Sequence, residues 1–156
     1  MTVVAACATV AAVELVAPST AAADNARLNN GVFGNIFTAQ KRNGCQTDPH
    51  KDGRLAEAAR VHTLDVRDHR EVDGDIGSDG STPQTRAEAA GFVGKVSETI
   101  AINPALAISG IEILNHWWYD PVSRATMQDC RNTAIGVWSE NSLDRTAVVA
   151  VYGQPA

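Results

Sequence analysis

The side chains of this 156-residue chain best suited to chemistry are four histidines, three cysteines and three consecutive aromatics. His62 and His69 lie seven residues apart, with Asp65 three after the first, so a helix carries all of them on one side. Imidazole and carboxylate on one face can ligate a metal. The plainer reading is favoured: His62 packs in the core against a carboxylate or carbonyl, and His69 ends a helix in solvent. His116 reads as packing or surface, and His50 as loop. The acidic stretch 70–82, REVDGDIGSDGST, has the residue types of a Ca²⁺ loop but not its register. Counted from Asp73, the sixth place is Ser78 where glycine is needed; counted from Asp75, the twelfth is Arg86 where glutamate is needed. Ser123 lies close to Asp120, yet no G-x-S-x-G elbow surrounds it. These residues by themselves mark out no catalytic group, metal site or cofactor, and leave the question of catalysis open with a lean against it.

The aromatics are Trp117, Trp118 and Tyr119. Successive helical positions turn by ~100°, so these three cannot all face one core. One is expected to pack inward, another to lie on the surface or line a groove, where Trp and Tyr suit ligand or partner contact, although simple packing between layers with a partly wet edge is the favoured reading. Net charge is −5, from 13 basic and 18 acidic residues, and the longest basic run is Lys41-Arg42. That argues against a nucleic-acid partner.

Residues 3–13, VVAACATVAAV, followed by Ala21-Ala22-Ala23, read as a secretory signal peptide over 1–23, leaving a single domain over 24–156. No basic residue precedes the run, and Glu14 interrupts its end. The run is too short for a membrane span, which needs ~20 apolar residues. The reading predicts a secreted or cell-envelope protein. Cys7 leaves with the leader, and an even pair, Cys45 and Cys130, remains. In an exported chain this favours one disulfide over two reduced thiols.

Elements that must position these residues follow from periodicity. Val32, Phe33, Ile36, Phe37 and Gln40 predict a helix over 30–43. Leu55, Ala58, Ala59, His62 and Val66 form an amphipathic face on a second. Thr82-Pro83 opens a third, which Gly91 stops. Residues 93–102 read as a strand. Asn103-Pro104 predicts a further helix with a stripe of Ala107, Ile108, Ile111, Leu114 and Trp118, and 122–132 reads as a polar segment. Ala134–Trp138 and Thr146–Tyr152 read as a hairpin, its AVVAVY strand covered on both faces. Helices early and strands late indicate an α+β domain.

Four segments in order carry a family resemblance. AEAARVHTLDV is similar to an A-x-x-H-x-x-D-M helix, with His62 and Asp65 in place. GSDGSTPQTRAEAAGF, residues 77–92, closely resembles G-S-D-G-S-x-x-x-x-R-x-x-x-A-G-[YF]. SETIA, residues 97–101, is similar to G-E-N-I-A, and WWYDPVSR, residues 117–124, to W-x-x-S-P-x-H-R. The chain thus resembles bacterial exported members of the CAP superfamily (cysteine-rich secretory, antigen 5 and pathogenesis-related proteins), also called SCP-like. The resemblance implies an α-β-α sandwich with an antiparallel sheet between helical layers. It also implies a cavity whose two histidine positions fall on Asp75 and Ser123, and whose box glutamate falls on Glu98. With its imidazoles replaced, such a cavity makes a poor zinc site. The expected function is therefore a secreted, non-enzymatic domain that binds a small apolar ligand such as a lipid, or a protein or cell-envelope partner. The alternatives are a metal-dependent or hydrolytic enzyme using Glu98 and Asp75, and a structural envelope protein.

Overall fold

A computed structural model describes residues 20–104 and 108–156. The expected leader lies mostly in residues 1–19, outside the described residues; its expected cut after Ala23 falls within the first helix.

The element order is α1 (Thr20–Arg42), β1 (His50–Lys51), α2 (Gly53–Asp68), α3 (Pro83–Ala89), β2 (Gly94–Asn103), α4 (Gly110–Tyr119), α5 (Pro121–Gln128), β3 (Ala134–Asn141) and β4 (Thr146–Pro155). The strands form one sheet in the order β1-β3-β4-β2. The long strands are antiparallel: β4 pairs with β2 from Thr146↔Asn103 to Pro155↔Gly94, and with β3 from Thr146↔Asn141 to Gly153↔Ala134. The two-residue β1 adds a parallel edge to β3, so the sheet is mixed rather than purely antiparallel.

Strand β4 has no polar face. Val148, Ala150 and Tyr152 point to one side, among Val32 and Ile36 of α1, Ile113 and Trp117 of α4, and Met127 of α5. Val149 and Val151 point to the other, among Leu55, Ala58 and Ala59 of α2, Ala87 of α3, and Phe92. Side chains that alternate along a strand thus demand a helical layer on each side. The α-β-α sandwich expected from the sequence is the fold observed. Burying each valine side chain supplies ~1.5–3 kcal/mol.

Local signals explain most boundaries. Asp52 caps α2, accepting from the backbone N–H of Arg54 and Leu55. All five stripe residues of α2 are buried. Thr82 and Thr85 form a capping box before α3, with Pro83 in its first turn. Asp120 ends α4 and caps α5.

Three expectations need correction. Helix α1 begins ten residues before position 30, through an Ala- and Asn-containing stretch whose Leu28 packs on the core. The helix expected at Asn103-Pro104 starts instead at Gly110, because Asn103 stays in the ladder opposite Thr146 while Ser109 and Glu112 make the capping box. Its buried stripe is accordingly Ile113 and Trp117; Ile111 is 68% exposed, Leu114 and Trp118 are half-buried, and Ala107 lies outside the described residues. Residues 121–128, read as part of a polar segment, form α5, which buries Met127.

The expected disulfide joins Cys45, just beyond α1, to Cys130, just beyond α5, with Cα atoms 5.1 Å apart and the two cysteines 85 positions apart in sequence. A cross-link over a loop of that length stabilises by ~4.5 kcal/mol in a chain-entropy treatment.

The α2 layer sits unusually close to the sheet. A Cβ added at Gly136 of β3 would lie 2.1 Å from the backbone of Leu55 and Ala56. Gly136→Ala is therefore expected to lower the unfolding free energy by about 3 kcal/mol or more. Gly31→Ala, in open space at an exposed position of α1, is expected to raise it by roughly 0.5–1 kcal/mol. Urea midpoints of the two variants check both signs.

Candidate functional site

On the α2–α3 side of the sheet, β2 turns Glu98 inward opposite Val151. Its side chain is fully buried, as is that of His62 on α2. Arg86 reaches in from α3, and its Nη2 donates to Oε1 and Oε2 of Glu98 at 3.1 and 3.2 Å and to the Asp75 carbonyl at 2.8 Å. Nη1 donates to the Ser81 carbonyl and hydroxyl at 2.9 and 3.1 Å. One guanidinium thus holds a buried carboxylate and both ends of the turn 75–81. This residue was visible in the sequence as the arginine of the GSDGS pattern, but a position in a helix gave no sign of its inward reach.

His62 Nε2 lies 3.0 Å from the Gly74 carbonyl and 3.6 Å from Glu98 Oε1. The carbonyl accepts only, so the ring carries its proton on Nε2, and the buried Nδ1 has no partner among the described residues. Asp65, one turn along α2, accepts from the Ser78 N–H at 2.7 Å and contacts His69 Nδ1 at 2.8 Å. The H-x-x-D spacing therefore fastens the acidic turn to α2 at two points.

Of the sequence-predicted site residues, Glu98 and His62 meet. Asp75 contributes its backbone to the same cluster while its side chain is exposed. Ser123 does not join them: it lies in α5, on the opposite side of the sheet, where its N–H donates to Asp120 at 2.7 Å. Among the described residues no group of three or more His, Cys, Asp or Glu side chains comes together as a metal site would require.

The aromatic triplet divides as helical geometry demands. Trp117 is in the core, its indole N–H donating to the Ile100 carbonyl at 2.9 Å. Trp118 is half-buried and Tyr119 is 81% exposed. These two border an open groove of about 400 Å³ between α1 and α4, shared with Asn35, Thr38, Arg42 and Asn115. A second groove of about 340 Å³ runs between α2 and α3, with Glu57 and Asp79 at its walls.

Comparison with solved structures places this architecture. The chain superimposes on an extracellular protein containing an SCP domain from Bacillus anthracis with TM-score 0.73, at 16% identity, over 91% of this chain and 45% of that one. The fold is that of an SCP domain. An outer surface protein of Borrelia burgdorferi matches with TM-score 0.68 at 16% identity, over 80% of this chain and 90% of that one. A cysteine-rich secretory protein of Staphylococcus aureus matches with TM-score 0.62 at 10% identity, over 83% of this chain and 39% of that one. No protein-family profile matches the sequence, and no curated protein matches it. Among the described residues no helix of this SCP fold is long and apolar enough to cross a membrane.

Burial pushes the Glu98 carboxyl up to about 7, against the opposing pull of Arg86. Burial, and then the Arg86 charge, push His62 down, which keeps the ring neutral. The folded chain holds the Glu98 proton more tightly than the unfolded chain. Its contribution to stability is therefore whole below pH 4.5 and lost as pH rises through about 7. His62 acts oppositely: its contribution is whole above 6.5 and is lost as pH falls below that value. Glu98→Gln removes the first slope and leaves the second. The difference in unfolding free energy, wild type minus variant, is expected to fall by on the order of 3 kcal/mol between pH 4 and pH 8. Urea unfolding of both proteins at the two pH values measures it.

Proposed function

We propose that this chain is an exported SCP-fold domain that binds rather than catalyses. Its occupant rests in the groove between α1 and α4: a lipid or other small ligand with an apolar face, or a component of the cell envelope. The leader-like segment 1–23 supports export, as does the Cys45–Cys130 disulfide, which persists in oxidising compartments. The solved structures named above as extracellular or outer-surface proteins are consistent with it.

The observation that carries the reading is the contrast between the two sites. A general base must lie within hydrogen-bond reach of substrate. Glu98 is fully buried and accepts from Arg86 on both oxygens. The α1–α4 groove is open, and two aromatic side chains border it. The enzymatic alternative draws its support from a carboxyl with pKa about 7 beside a neutral imidazole.

Native mass spectrometry of the exported chain tests the two together. The expected result is a one-to-one non-covalent adduct that disappears in Trp118→Ala and persists in Glu98→Gln, with no stoichiometric uptake of added Zn²⁺. Zn²⁺ bound at one equivalent by the wild type and lost in Glu98→Gln would overturn the reading in favour of the metal-dependent alternative.

A further inference from the structure

The polar chemistry of the α1–α4 groove narrows its occupant. Asn35 Nδ2 donates to the Gly110 carbonyl at 3.1 Å, which fixes the amide and leaves its oxygen as an acceptor. Thr38 Oγ1 donates to the Gly34 carbonyl at 2.8 Å, so its hydroxyl too has acceptor capacity left. An alkyl chain laid over these oxygens would desolvate them without replacing the hydrogen bonds of water, at a cost in affinity. A ligand rich in hydroxyl donors satisfies them.

Charge supplies the second constraint. Arg42, in the last turn of α1, borders the groove and makes no ion pair or hydrogen bond with any described residue. No Asp or Glu borders the groove with it. In a chain of net charge −5 this is a local, unopposed cation. A guanidinium in that state matches a carboxylate, which it holds through two parallel N–H donors.

Shape supplies the third. Trp118 and Tyr119 are adjacent on α4, so their side chains leave the helix ~100° apart, and both border an open corner of the groove. An open aromatic corner suits a rigid ring that has one C–H face and an edge of hydroxyls. The volume, about 400 Å³, is in the range of small-ligand sites, roughly 300–1,000 Å³.

We infer that this groove binds a carboxylated sugar, with a pyranose face against Trp118 or Tyr119, hydroxyls on Asn35 and Thr38, and the carboxylate on Arg42. The inference rests on the reading of this groove as the binding site and names the ligand class. It favours an acidic envelope glycan over a lipid.

Trigalacturonic acid serves as the probe, titrated into the full disulfide-bonded chain and followed by calorimetry and by the indole N–H signals in a ¹⁵N correlation spectrum. The expected result is saturable binding that shifts the Trp118 signal and weakens as salt is raised. Arg42→Gln and Tyr119→Ala, both on the surface, are each expected to weaken binding about ten-fold. The fully methyl-esterified trisaccharide is expected to bind no better to wild type than the acid binds to Arg42→Gln. Equal affinity of acid and ester would overturn the carboxylate contact. Palmitate shifting Trp118 where trigalacturonic acid does not would overturn the sugar class and leave the groove as the binding site. No shift of Trp118 with either probe, beside an adduct that survives Trp118→Ala, would overturn both.

Discussion

A strand with no polar side must be covered twice. Residues 147–152 of β4, AVVAVY, are all buried, and the alternation of their side chains sends Val148, Ala150 and Tyr152 to one side of the sheet and Ala147, Val149 and Val151 to the other. The rest of the architecture answers that constraint. α1, α4 and α5 close one side and α2 and α3 the other, while β2 and β3 satisfy both hydrogen-bonding edges of β4. The two sides are built differently. The α2–α3 side uses alanine and glycine, so backbone lies close to backbone. The α1 side uses Trp117, Tyr152, Ile36 and Met127, and the aromatic groove lies between α1 and α4 on that side.

The buried Arg86–Glu98 pair is best understood as part of that thin side. An ion pair taken out of water gains stability only where further hydrogen bonds satisfy its remaining donors. Here Arg86 also binds Ser81 and the Asp75 carbonyl, so the cost of burial is offset by fastening a glycine-rich, acidic turn that has no core of its own. His62 and Asp65 fasten the same turn from α2. Residue types that could have made a metal or acid–base site are thereby committed to holding the loop in place. The open groove between α1 and α4 lies across the sheet from them.

Legibility in the sequence followed the strength of local signals. The α2 stripe, the Thr82-Pro83 start and the unbroken apolar run of β4 each rest on several residues that agree, and each was read correctly. The α4 start was misplaced because Asn103-Pro104 offers a plausible cap, and only the ladder partner of Asn103 reveals that it belongs to β2. Helix α5 was missed because it buries a single large side chain, Met127, and so shows little periodicity. The strand β1 is two residues long and has no signature beyond its tertiary pairing. At the candidate site, the families of residues were visible but their convergence was not. Nothing in the spacing of Glu98, Arg86 and Ser123 states that the first two share a side of the sheet and the third does not. The split of Trp117, Trp118 and Tyr119 was legible, since it follows from helical rotation alone.

The position of β4 in the chain has a consequence for biogenesis. The strand at the centre of the sheet is the last of the described elements to be made. Until it emerges, β2 and β3 have no common neighbour, and neither core has its middle. A ribosome adding 5–20 residues per second therefore extrudes most of this polypeptide before any cooperative structure can close. Closure of both helical layers over the sheet therefore waits on residues 146–155.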